Sequence, residues 1–368
     1  MSVPPPSPGA ERFAGGMIVR EKEPVNLETP FGSLDSFLTP VERFYVRCHH
    51  AQPRIGKDGW RLVIEGEVGQ PCRLSYEELQ AMEMRTIIAT MECAGNGRAF
   101  LTPQHDGAQW EGGAVGTAEW TGVPLATVLA LARPSPGVSE VILEGADAGP
   151  VKDLPKPAGE IHYARSLPLG KAMDDVLLAL RMNGRELTPS HGFPLRAIVP
   201  GWYGMAAVKW LSRIVATGRP FHGYYQTVDY AYWDRRSGIP TLRPITTMRV
   251  KAQIARPEFA EAVTAGQPYR VHGAAWTAAA EISKVEVSTD GGHHWEEARL
   301  LGMPTPHAWH LWEFDWPVPA SPGKAVVMAR ATDSSGHVQP LAHDDDGGSY
   351  LIHHALPVEV TICPEVPA

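Results

Sequence analysis

The chain has 368 residues and little cysteine: Cys48, Cys72, Cys93 and Cys363 are its four, and no two stand close together. That excludes a C-x-x-C pair, a zinc knuckle and a C-x-x-C-H haem attachment. No disulfide framework is required, because a chain of this length with 43% hydrophobic residues can bury full cores. Long apolar runs are missing too; none approaches the roughly 20 residues of a membrane span. Positive charge is in deficit, with 33 Lys and Arg against 41 Asp and Glu and a formal net charge of −8. That argues against a nucleic-acid partner, which asks for a basic face. It also means that an anionic substrate needs a local arginine cluster to offset the global field. No G-x-G-x-x-G follows a strand pattern, so a dinucleotide fold is not indicated. The N-terminus, Met1-Ser-Val-Pro-Pro-Pro-Ser-Pro-Gly-Ala10, lacks a positive n-region, an apolar h-region and a twin-arginine pair. Residues 1–25 read as a disordered arm, with the cytoplasm as the expected location, or the periplasm if an export signal was trimmed.

Beyond the arm, two textures divide the chain. Residues 26–245 mix strand and helix signals in an α+β pattern. Arg61-Leu-Val-Ile-Glu-Gly-Glu-Val68 alternates with period two and predicts a half-buried strand. Further strands are expected at 86–93, 140–145 and 195–199. Pro124–Ala132 predicts a helix with Thr121 as its cap, and Asp174–Met182 a second helix ended by Asn183-Gly184. Residues 246–368 carry short alternating runs near 245–254, 267–276, 282–288, 295–300, 309–316, 324–331 and 357–362, with turn signals such as Asp290-Gly-Gly292 between them. They predict an immunoglobulin-like β-sandwich. Its tryptophans, Trp309, Trp312 and Trp316, suit either a sandwich core or an interface between copies.

The densest chemical signal is Met91-Glu-Cys-Ala-Gly-Asn-Gly-Arg-Ala-Phe100. The apolar run Thr86–Met91 ends in Cys93, and Gly95, Gly97 and Arg98 follow. A strand that stops in a Gly/Asn turn holds a thiolate rigidly, and one fixed soft sulfur suits a redox-active metal. A buried core cysteine is the alternative. Four other segments concentrate cations, imidazoles and phenols: Phe44-Tyr-Val-Arg-Cys-His-His50, Tyr163-Ala-Arg-Ser-Leu-Pro-Leu-Gly-Lys171, His191-Gly-Phe-Pro-Leu-Arg-Ala-Ile-Val-Pro-Gly201 with Val208-Lys-Trp-Leu211, and Gln226-Thr-Val-Asp-Tyr230. The His-His pairs at 293 and 353 are expected to face solvent, and Asp344-Asp-Asp346 is expected to be a loop without a calcium site, since no EF-hand pattern surrounds it.

In order and spacing these motifs resemble the sulfite oxidase family of molybdenum enzymes, over roughly residues 25 to 363. The resemblance implies a mixed α/β molybdopterin-binding domain followed by the sandwich as a dimerisation domain. It implies molybdenum held by one pyranopterin dithiolene, with Cys93 as the protein's metal ligand. His49, His191, Arg196 and Lys209, with Asp147 and Ser166, are the implied cofactor-binding residues. Arg47 and Arg98 are implied for the oxyanion pocket, and Tyr230 for the phenol at the metal, with Tyr224, Tyr225 and Tyr232 as alternatives. Trp110 either walls the pocket or belongs to the core. The implied reaction oxidises sulfite to sulfate and passes electrons to an external acceptor, with no haem in this chain and a homodimer as the assembly. Departures are Cys48, where many relatives have asparagine; Gly97, where many have arginine; and a C-terminal stretch, His353–Ile362, without the arginine of the animal enzymes. They leave a second reading open, reduction of an S- or N-oxide or of nitrate on the same cofactor.

Overall fold

The computed structural model describes residues 16–151 and 156–364. Two five-stranded sheets build the first domain. One runs in the order Arg185–Glu186, Leu177–Met182, Val115–Pro124, Arg85–Glu92, with Arg196–Ile198 also paired to Leu177–Met182. The other runs Cys72–Ser75, Arg61–Gly66, Leu211–Thr217, Glu140–Pro150, Glu160–Pro168. Leu211–Thr217 lies parallel to Arg61–Gly66 and antiparallel to Glu140–Pro150. The period-two reading at 61–68 matches the structure: Leu62 and Ile64 are wholly buried while Arg61 is exposed.

Three local expectations are corrected. Thr121 does not cap a helix; it sits in Val115–Pro124, its hydroxyl 2.8 Å from that of Thr86 across the ladder, and the helix Leu125–Ala132 starts after Pro124. The stretch expected as a helix over 174–182 divides. A short helix Leu169–Asp174 ends there, and Leu177–Met182 is a strand buried on both faces. A strand flanked on both sides reads as a continuous apolar run, in which the period of two disappears. Asn183 and Gly184, both at positive φ, form the two-residue turn of a hairpin into Arg185–Glu186, where the sequence suggested a helix cap. The third correction concerns the arm. Residues 1–15 lie outside the described residues, but Ile18–Glu21 pairs with Asn26–Glu28. The buried Glu28 carboxylate accepts from the amides of Glu111, Gly112 and Gly113 and pairs with Arg20. The amide bonds to residues 111–113, made over a long sequence distance, hold a segment that composition alone marks as loose.

The second domain is a two-sheet sandwich. One sheet runs Lys251–Arg256, Pro268–Trp276, His310–Pro317, Arg299–Leu301; the other runs Ala262–Thr264, Val358–Cys363, Gly323–Asp333, Ile282–Ser288, Glu296–Glu297. Trp312 and Trp316 lie in its core with Val271, Val285 and Val327. Trp309 instead joins the core of the first domain, as do Trp276 and Leu351. The two domains therefore share one apolar seam, and burial of large aromatics there stabilises their relative placement. His293 and His294 lie in an exposed loop, as expected; His353 and His354 are half-buried between loops of the second domain.

Candidate active site

The strand Arg85–Glu92 delivers Cys93 into a tight turn. The Cys93 amide donates to Ala114 O at 2.8 Å, and the Asn96 amide to Cys93 O at 2.9 Å. The Asn96 side chain accepts from Ala114 N at 3.0 Å. Gly97 holds φ 98°, and a Cβ on Gly95 would stand 2.5 Å from the Arg98 guanidinium. The glycines are thus required by backbone geometry and by close packing. Cys93 is 7% exposed. Burial pushes its thiol up, while Arg47, the Gly95 amide and Arg98 oppose this. A proton therefore stays on the sulfur until a bound cation displaces it.

Cys93 opens on a cleft that Phe44, Tyr45, Met91 and Met205 also line. The cleft brings together eight of the residues singled out in the sequence: Arg47, His49, Cys93, Asp147, His191, Arg196, Lys209 and Tyr230. They come from both sheets and their loops. Asp147 belongs to Glu140–Pro150, Arg196 opens Arg196–Ile198, and Lys209 shortly precedes Leu211–Thr217. Arg196 donates to His191 O at 3.1 Å and to Ala207 O at 3.2 Å. His191 Nε2 donates to Val41 O at 3.1 Å. Lys209 Nζ reaches Ser190 O at 3.0 Å and Cys48 Sγ at 3.2 Å.

Charge in the cleft is set by burial. His49 is held well below its ordinary pKa by desolvation and then by Arg47. Desolvation and Arg196 lower His191 to about 3. Both imidazoles are therefore neutral. Burial lowers Arg196 to about 10, which leaves it charged at neutral pH. Burial also works against Arg47, but Tyr230 and Cys93 hold it above the usual range. The Tyr230 phenol, pushed up by burial, keeps its proton and lies 2.6 Å from His49 Nε2. The phenol and the neutral imidazole share that hydrogen bond. Two of the alternative tyrosines, Tyr224 and Tyr232, stay off the cleft wall, and the third, Tyr225, bonds His50 instead.

Two expected residues do not reach the cleft. The Arg98 guanidinium turns away to Ala108 O at 3.1 Å and Ser349 O at 3.2 Å and lies 5.0 Å from the Tyr350 ring centre. These partners lie in loops distant in sequence. Ser166 sits inside Glu160–Pro168 opposite Ile142, with its amide donating to Gln226 Oε1. Trp110 is wholly buried in the core behind Tyr45. Sequence reasoning missed Tyr163, whose ring stacks on His49 at 4.5 Å, and Trp210, which lines the cleft at φ 50°. Both stand inside quoted motifs without an assigned role, Tyr163 at the head of 163–171 and Trp210 beside Lys209, so proximity was the available signal. A non-glycine residue held at positive φ beside a site is where strain is usually found.

Residues 49–225 match the oxidoreductase molybdopterin binding domain, and residues 243–345 the Mo-co oxidoreductase dimerisation domain. The chain is 35% identical to the sulfite oxidase of Gallus gallus, over 91% of this chain and 77% of that protein. This chain belongs to the sulfite oxidase family. It spans only 61% of the mitochondrial sulfite oxidase of Homo sapiens. Nitrate reductase [NADH] 1 of Arabidopsis thaliana is 33% identical over 87% of this chain and 38% of its own length. The sulfane dehydrogenase SoxCD of Paracoccus pantotrophus superposes with a TM-score of 0.81 at 27% identity, covering 97% of this chain and 90% of that one.

As a family member the chain is a molybdenum–molybdopterin oxidoreductase, and its own residues fit that group. Asp147 Oδ1 and Arg196 Nε are buried on the cleft wall without partners, the mark of a polar ligand's place. Gly204 leaves room there: a Cβ would stand 2.5 Å from the Tyr45 hydroxyl. Among the described residues no three His, Cys, Asp or Glu side chains gather to hold a metal. Cys93 is the cysteine on the cleft wall, and once deprotonated its sulfur would be a soft, anionic donor.

Proposed function

We propose that this chain oxidises sulfite to sulfate. The observation that carries the reading is the placement of Arg47 and Tyr230 around one sulfur, Cys93, in a cleft that also holds Arg196 and Lys209. When bound, the molybdenum–molybdopterin group supplies the oxygen atom and takes up the electron pair. The overall change is sulfite plus water to sulfate, two protons and two electrons, with the electrons leaving to an external acceptor. Arg47 seats the oxyanion by its guanidinium fork, which matches planar oxygens better than an ammonium does. Tyr230 donates toward the oxyanion or toward His49, so its hydroxyl is the group that exchanges a proton at the site. His191, Arg196 and Lys209 would hold the cofactor, the two cations offering charge to its phosphate and Asp147 an acceptor to its donors. The domain at 243–345 joins two copies as a homodimer.

Molybdenum and pterin content of the purified protein, followed by sulfite-dependent ferricyanide reduction, tests this directly. Protein that carries molybdenum but reduces no ferricyanide with sulfite would refute it. A second reading, reduction of an oxide such as nitrate, draws on the turned-away Arg98, which leaves the cleft less positive than the motifs suggested. Turnover of nitrate or a sulfoxide with a reduced dye, without sulfite oxidation, would select it.

A further inference from the structure

The residue before Cys93 is bound by the other domain. Glu92 is 1% exposed, Lys251 2% and Trp276 0%. Lys251, in the first strand of the sandwich, donates to Glu92 Oε1 at 2.9 Å, to Ile352 O at 2.8 Å and to Asn96 O at 3.3 Å. Trp276, at the end of the next strand of that sheet, donates to Glu92 Oε2 at 2.8 Å. Asn96 Nδ2 adds a bond to Glu92 Oε1 at 3.1 Å. One ammonium thus ties both ends of the Glu92–Asn96 turn, and both carboxylate oxygens are engaged. Nothing in the fold of the sandwich alone requires a buried lysine here, since a buried ion pair is weak evidence for stability and contributes most where it specifies geometry.

We propose that Lys251, Glu92 and Trp276 form an interdomain clamp of positioning residues that sets where the Cys93 sulfur stands in the cleft. The sandwich then completes the metal-ligand turn besides offering a surface to a second copy. The clamp holds the chain on either side of the sulfur, so loosening it lets the thiol rotate toward or away from the cleft mouth. This inference rests on Cys93 as the metal ligand.

The test reads the sulfur without metal. Cofactor-free protein is treated with iodoacetamide, and the modification rate of Cys93 is followed by mass spectrometry. Lys251→Arg and Trp276→Phe retain most of the packing; each is expected to change that rate by about threefold or more, because thiol reactivity follows local placement and charge. Val327→Ala, a cavity in the sandwich core that removes no clamp hydrogen bond, is the control: it is expected to lower the Tm and leave the Cys93 rate unchanged. In loaded protein the same two clamp variants are expected to shift the visible sulfur-to-metal absorption. Unchanged Cys93 rates in both clamp variants, or an equal change in Val327→Ala, would overturn the proposal. Failure of the wild-type protein to take up molybdenum at all, with the Cys93 rates still responding to the clamp, would instead defeat the functional reading and leave the turn-positioning role of the clamp standing.

Discussion

Asp147 exposes the stability cost of building this cleft. It is 4% exposed, its Oδ1 has no hydrogen-bond partner, and burial raises its carboxyl from 3.8 to about 6 against the pull of Lys209. A carboxyl raised in the folded state contributes its stability below the unfolded value of 3.8, and that contribution is lost as pH rises through about 6. At 1.36 kcal/mol per pH unit, the ionised group then costs the cofactor-free protein about 3 kcal/mol at neutral pH. Asp147→Asn keeps the shape and removes the charge. The variant should match the cofactor-free wild type near pH 4 and exceed it by up to about 3 kcal/mol at pH 7.5, or several degrees in Tm. Calorimetry of both cofactor-free proteins between pH 4 and 8 gives the difference curve, in which effects common to both cancel. The same variant should retain less pterin, because the group that costs stability is the one offered to the ligand. A gap that fails to widen between pH 4 and 7.5 would refute the reasoning, and so would a variant less stable than wild type at pH 7.5.

Other perturbations separate the remaining roles. Cys93→Ser should abolish sulfite turnover while leaving the circular dichroism spectrum unchanged, since its neighbours are held by backbone bonds; a ferricyanide assay of the purified variant checks this. Arg47→Gln should raise the KM for sulfite by about tenfold or more, as loss of a charge-assisted pair implies, with a smaller effect on kcat; steady-state kinetics with ferricyanide decides. Arg98→Met leaves two carbonyls, Ala108 O and Ser349 O, unpaired, and should cost about 2–4 kcal/mol in urea unfolding, with a smaller rise in KM than Arg47→Gln. In acid, His191 must gain a proton on unfolding that it refuses when folded, its value being lowered to about 3; stability is present above 6.5 and falls as pH drops below it. His191→Gln should flatten that acid limb in calorimetry.

Much of the site was legible because its members lie in contiguous motifs. Cys93 with its glycines, Arg47 with His49, and His191 with Arg196 each sit within a few residues, in the motifs that carry the family resemblance. Tyr230 was distinguished from Tyr224, Tyr225 and Tyr232 by its contact with His49, which no spacing rule contains. Arg98 was misread for a related reason. Its place in the turn is local, but its guanidinium is aimed by Ala108, Ser349 and Tyr350. Leu177–Met182 looked helical because a strand covered on both faces shows no alternation.

The amino-acid order by itself determined which segments concentrate candidate residues and the strand texture of the sandwich, since these depend on residue type and near neighbours. Only the tertiary structure decided where each charged side chain points, which phenol meets the imidazole, and that a lysine of the sandwich holds the glutamate beside the sulfur. The reason is physical. A side chain's direction and its charge state depend on burial and on partners brought together from distant parts of the chain, and neither is written into local sequence.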